Sequence, residues 1–182
     1  VFFADNYIPP MRRFAVLILP VLLLAPLLRS QTPPVAYRGF ELAAPYAAFS
    51  ARARLLADPR ATPLVCNTSR RTAQLMECGA PIRDPADSAR FYLAAYVLEG
   101  RVAFLSFGDS GSPSLVERLQ QDLKGRFGRP HASRAGMWEW RTGLEVVRLT
   151  WRGRGSARWV YIALWDQPLM NRIARYVPRP RH

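Results

Sequence analysis

Between Met11 and Ser30 the chain reads M-R-R-F-A-V-L-I-L-P-V-L-L-L-A-P-L-L-R-S, and this stretch constrains everything that follows it. Arg12 and Arg13 stand before an uncharged apolar run from Phe14 to Leu28, and Arg29 closes it, which is the order of a secretory signal. As a helix the run would be about 22 Å long at ~1.5 Å per residue, against a hydrocarbon core of about 30 Å. Pro20 and Pro26 each remove a backbone donor, though membrane helices tolerate this better than soluble ones. Leu28 and Ser30 fit the small-residue cleavage pattern poorly. Phe2, Phe3 and Tyr7 are residue types that settle at a membrane interface, and the flanking arginines are able to snorkel. We therefore read residues 1–30 as a retained signal-anchor, with Phe14, Leu17, Leu22, Leu24 and Leu28 as its lipid-facing candidates. A cleaved export signal is the alternative. Either way the arginines ahead of the run place the remaining chain outside the cytoplasm.

That compartment governs the reading of the cysteines and the charge. Cys66 and Cys78 flank two short strand-like runs around Ser69-Arg70-Arg71, and a hairpin centred on Thr72 sets them opposite each other. A structural disulfide suits an exported domain, whereas the spacing and the lack of a nearby histidine argue against a redox or zinc site. The formal net charge is +13, and Lys124 is the sole lysine. A basic, arginine-dominated exported domain points to anionic lipid headgroups or an acidic protein face, and away from nucleic acid.

Residues 31–38 read as a proline-containing linker and 39–177 as one α+β domain, followed by the basic tail 178–182. Gly39–Leu56 has helical spacing. The cysteine hairpin follows, then a proline loop through Pro81 and Pro85. Arg90–Leu98 and Arg101–Phe107 alternate around Glu99-Gly100 as the clearest hairpin. Pro113–Lys124 reads as a helix, with Ser114 and Glu117 as a capping box and Gly125 as its stop. Met137–Arg141 and Leu144–Trp151 form a hairpin about Thr142-Gly143, and Arg158–Trp165 is a further strand. Asp166 is placed to cap a final helix, Pro168–Val177.

The order of elements over 39–107 recurs over 113–165, and Ser88-Ala89-Arg90-Phe91 is echoed by Ser156-Ala157-Arg158-Trp159. The expected architecture is thus an N-terminal apolar helix followed by a duplicated helix-plus-antiparallel-sheet domain. At this level residues 39–165 resemble exported binding scaffolds of the β-lactamase inhibitory protein and outer-membrane assembly lipoprotein kind. No lipobox cysteine follows the apolar run, so the second likeness is architectural only. The resemblance implies protein binding without catalysis.

Gly108-Asp109-Ser110-Gly111-Ser112-Pro113 resembles the nucleophile motif of chymotrypsin-like proteases, but one glycine has become Ser112. The two histidines, His131 and His182, both follow the serine, whereas that mechanism takes its base from upstream. Neither histidine has metal-ligand company. Five tryptophans, Trp138, Trp140, Trp151, Trp159 and Trp165, crowd the second half. Tryptophan with arginine is the composition of interface hot spots, so Trp138, Trp140, Trp151, Trp159, Arg141, Arg152 and Arg154 are the candidate partner-binding residues. The expected function is a non-catalytic accessory subunit of a bacterial inner-membrane complex, respiratory or photosynthetic, whose periplasmic domain bridges larger subunits. The alternative is a secreted periplasmic binding or inhibitor-like module. Neither reading calls for a cofactor, a metal or a small-molecule substrate.

Overall fold

The computed structural model describes residues 34–85, 89–110, 113–154 and 158–176. The apolar segment, with its candidate residues Phe14 to Leu28, lies outside them. Among the described residues no helix is long and apolar enough to cross a membrane. The elements run β1 (Ala36–Tyr37), β2 (Phe40–Glu41), α1 (Tyr46–Leu55), β3 (Val65–Thr68), β4 (Leu75–Arg83), β5 (Arg90–Leu98) and β6 (Arg101–Ser110). There follow α2 (Pro113–Phe127), β7 (Ala132–Arg134), β8 (Met137–Thr142), β9 (Glu145–Arg152), β10 (Trp159–Asp166) and α3 (Gln167–Arg175). This is the α+β class expected, built on one eight-stranded sheet in the order β3-β4-β5-β6-β10-β9-β8-β7. Every neighbouring pair in it is antiparallel. Two four-strand meanders meet at their last strands, β6 and β10, while α2 carries the chain from the middle of the sheet to its far edge.

Strand alternation sorts the side chains. On one face Ala80 and Ile82 of β4, Phe91, Leu93 and Ala95 of β5, Leu105 and Phe107 of β6, Ile162 and Leu164 of β10, and Val147 and Leu149 of β9 form a continuous buried core. Phe49 and Ala53 of α1 and Leu115, Leu119 and Leu123 of α2 close over it. Phe107 sits at the centre, with its ring 5.2 Å from Tyr37, 5.6 Å from Phe40 and 6.4 Å from Phe91. The third helix uses the opposite face, where Ile173 packs with Leu75, Leu98 and Ala103. Ala103 is the extra residue of a bulge, since Tyr96 pairs with Phe104 but Val97 with Val102.

The cysteine hairpin forms in the register read from the sequence: Cys66 pairs with Cys78 and the two are disulfide-bonded. The Glu99-Gly100 turn has positive φ at both residues, 50° and 75°, the requirement of a type I′ hairpin. Asp166 caps α3 by accepting from the Leu169 N–H at 2.7 Å.

Other boundaries move, each for a local reason. The end of the expected linker belongs to the domain: Val35 and Tyr37 are buried, and the Val35 N–H donates to Glu145 at 2.8 Å. The helix read over Gly39–Leu56 is confined to Tyr46–Leu55, because β1 and β2 form a small hairpin turning at Arg38-Gly39. Arg52 fastens α1 to that turn by donating from Nε and Nη2 to the Arg38 carbonyl. Pro81 is in β4 rather than a loop. Its carbonyl faces the outer side, beyond the end of β3, and accepts from Asp58 N–H, so the missing N–H removes no bond to β5. The helix α2 passes through Gly125 and stops at Gly128, whose φ of 75° and N–H to the Lys124 carbonyl make the terminal turn. Ser114 lies inside that helix and not at its cap. The turn between β8 and β9 is Gly143-Leu144, one residue later than expected, and the short edge strand β7 was not foreseen.

The echo between 88–91 and 156–159 joins places the topology does not equate. Arg90 opens the third strand of its meander, whereas Trp159 opens the fourth strand of the other.

Removing the Phe107 ring leaves Tyr37, Phe40 and Phe91 around a cavity. Phe107→Ala is expected to lower stability by about 3–5 kcal/mol, whereas the exposed Leu144→Ser changes it by no more than ~0.5 kcal/mol. Urea unfolding followed by tryptophan fluorescence checks both.

Candidate binding face

Among the described residues the face turned away from α1 and α2 is only partly covered, by α3 at one end. The register fixes what lies on it. Gly79, Ala94, Ser106 and Ala163 pair in succession across β4, β5, β6 and β10, and the row continues into Arg148 and Glu139. One side of that row carries Tyr92, Gly108 and Tyr161, and the other Tyr96, Phe104 and Trp165. Small residues thus form the floor of a trough between two aromatic rows, about 14 Å long from β4 to β10 at ~4.8 Å per strand.

The aromatic walls are exposed where α3 does not reach: Tyr92 by 59%, Trp159 by 53% and Tyr161 by 42%. Isolated exposed hydrophobes are ordinary, but three large rings on one face of one sheet form a patch that water solvates badly. The rings lie along the sheet because two strand positions lack side chains. A Cβ on Gly79 would sit 2.5 Å from the Tyr92 hydroxyl, and one on Gly108 would sit 3.2 Å from two ring carbons of Tyr161. The glycines let the tyrosines lie against backbone.

At the β8–β10 end the trough opens into a groove of about 350 Å³ lined by Glu139, Arg141, Leu144, Val146, Arg148, Trp165 and Gln167. Glu139, only 4% exposed, is held between two arginines. Arg141 Nε donates to its Oε1 at 2.8 Å, and Arg148 donates to Oε2 from Nε at 3.0 Å and from Nη2 at 2.6 Å. The Arg148 guanidinium also lies 4.8 Å from the Trp165 ring centroid, and Trp165 Nε1–H donates to Gln167. Burial by itself pushes the Glu139 carboxyl up, but the Arg148 and Arg141 bonds and charges outweigh it and hold the group below its ordinary value. Nearby Glu145 goes the other way. Burial raises it, with the Asp166 charge adding and the Val35 N–H opposing.

The sequence-chosen residues divide between the two faces. Trp140 is 1% exposed, with its indole N–H donating to the Gly128 carbonyl, and Trp138 and Trp151 pack beside it on the helix side. Trp140 is core and Trp138 and Trp151 are half-buried against that core, because Trp138 and Trp140 pair with Leu149 and Val147, which face the helices. Trp159 and Arg141 are on the open face, Arg152 is exposed opposite Trp159, and Arg154 is exposed in the loop beyond β9. Tyr92, Tyr161 and Arg148 were missed. Alternation in phase with Tyr92-Ala94-Tyr96 was the signal that would have found the first of them.

Gly108-Asp109-Ser110 belongs to β6, whereas His131 immediately precedes β7 at the sheet edge. Three strands stand between them, a separation of roughly 19 Å at ~4.8 Å per step, so no serine–histidine pair forms there. The imidazole of His131 instead accepts from the Arg141 N–H at 3.2 Å. Comparison with protein-family models, curated proteins and solved structures returns no match.

Because the carboxyl of Glu139 is held below its usual 4.5, its stabilisation is present above that value and is lost as pH falls through the lowered folded value. Glu139→Gln is expected to reduce the fall of Tm with acid below about pH 4.5, read by calorimetry across a pH series.

Proposed function

We propose that this domain is a non-catalytic protein-binding module that seats a partner on the uncovered face of its sheet. The observation that carries the reading is the exposed trio Tyr92, Trp159 and Tyr161 on the side away from α1 and α2, continuous with the arginine-bearing groove. Rigid aromatic rings offer large contact area at low entropic cost, and arginine supplies directed charge beside them.

The Cys66–Cys78 disulfide supports work in an oxidising compartment, as the basic apolar segment 11–30 does. In this reading the protein is held at the outer face of a bacterial inner membrane by its N-terminal segment and bridges larger subunits of a membrane complex. Release of the same domain as a secreted binder is the second form of the same activity, since Tyr92, Trp159, Tyr161 and the groove residues all belong to the domain that follows the N-terminal segment. The two meanders descend in this reading from one duplicated helix-and-sheet unit, and the trough crosses their junction at β6 and β10. That is the arrangement the resemblance to tandem-repeat binding scaffolds implies.

Photocrosslinking residues placed singly at Tyr161, Trp159 and Arg118 test the proposal in the native host. Arg118 is exposed on α2, on the covered side of the sheet. One partner protein is expected to crosslink from positions 161 and 159 and not from 118. Its yield is expected to fall at least about tenfold when Tyr92 is also changed to Ser, given hot-spot costs of ~2 kcal/mol or more. Equal crosslinking from position 118, or none from the open face, would overturn the reading.

A further inference from the structure

We propose that the groove at the β8–β10 end of the open face is a carboxylate-binding site for an acidic segment of the protein partner, with Arg141 and Arg148 as its anchors. The inference rests on the protein-binding reading and names the chemistry of what is bound.

The two guanidiniums are already fixed. They approach Glu139 from opposite sides, one oxygen each, and Arg148 is further braced against Trp165. Trp165 is in turn held by Gln167, whose Nε2 donates to Asn171 at 2.9 Å. A surface arginine ordinarily loses rotamer entropy when it grips a ligand; here much of that ordering is complete before the ligand arrives.

The guanidiniums also have donors to spare. Arg141 spends only Nε on Glu139, and Arg148 spends Nε and Nη2. Among the described residues neither Nη of Arg141 nor Nη1 of Arg148 has a hydrogen-bond acceptor. Arg141 is the more accessible, its side chain 69% exposed. Two cations around one carboxylate leave the cluster one charge positive, and the open face adds Arg83, Arg90, Arg134 and Arg152 against Glu77. An acidic partner is therefore the complementary one.

Arginine forks suit both carboxylate and phosphate. The groove favours a side chain over a lipid headgroup. Leu144, Val146 and Trp165 give it apolar walls that accept the methylenes of a glutamate while the guanidiniums take its oxygens.

The full-length chain, ¹⁵N-labelled and kept in a zwitterionic detergent, is titrated with a hexaglutamate peptide. The Nε–H signals of Arg141 and Arg148 and the indole N–H of Trp165 are expected to shift saturably, while the indole N–H of buried Trp140 stays in place. Arg141→Gln retains the Arg148 bonds that hold Glu139, and is expected to weaken binding about tenfold. Leu144→Glu, a change in an exposed turn, is expected to weaken it as well. Absence of these shifts, or unchanged binding in both variants, overturns the proposal. Stronger shifts at the same signals with inorganic phosphate or with phosphatidylglycerol vesicles overturn it in favour of phosphate or a membrane surface. If a partner still crosslinks from Tyr161 when hexaglutamate fails, only the carboxylate assignment falls. If the face-specific crosslink is itself missing, the protein-binding reading falls with it.

Discussion

An antiparallel sheet of eight strands has two faces, and α1 and α2 cover one of them. The rest of the molecule follows from that inequality. The covered face carries Leu, Ile, Val and Phe in strict alternation and buries them around Phe107. Among the described residues its partner face has only α3, and Ile173 reaches no further than the cluster at Leu75, Leu98 and Ala103. What lies between α3 and the far end of the strands is a surface that none of the described elements covers.

That surface does not resemble a solvated sheet face, which would alternate charged and small polar side chains with the core. It places aromatic rings over Gly79 and Gly108 and sets a buried glutamate between two arginines. The magnitudes separate such a cluster from ordinary surface pairs. The exposed Arg126–Asp122 pair, one helical turn apart, contributes at most a few tenths of a kcal/mol. Glu139 is buried while its arginines reach it from the exposed side, so losing both would leave a buried charge uncompensated, a cost above that of a surface pair. The arginines are thus held in place by the fold itself.

Much of the architecture was legible where local chemistry decides it. The facing cysteines, the Glu99-Gly100 turn and the Asp166 cap each rest on interactions within a dozen residues of chain. The misplaced boundaries depended on distant partners. Val35 and Tyr37 look like linker until Glu145 and Phe107, far along the chain, give them a place to pack. Pro81 looks like a strand breaker until the pairing of β3, which starts at Val65 opposite Gly79, shows that its missing N–H costs no bond to β3. The tryptophans divide between the faces for a similar reason. Alternation correctly put Trp138 and Trp140 on one face, but only the pairing with Val147 and Leu149 shows that this face is the covered one. Tyr92 and Tyr161 come together through β6, and no local pattern joins residues 69 positions apart.

Hydroxyl-radical footprinting addresses the central claim that the uncovered face is the working surface. It compares the purified protein with the same protein inside cells of its native host. The account predicts that Tyr92, Trp159 and Tyr161 are modified readily in the isolated protein and protected in the cell, while Leu55, 73% exposed on α1, is modified equally in both. Equal modification of the three aromatic residues in both settings, or protection appearing at Leu55 instead, would contradict it.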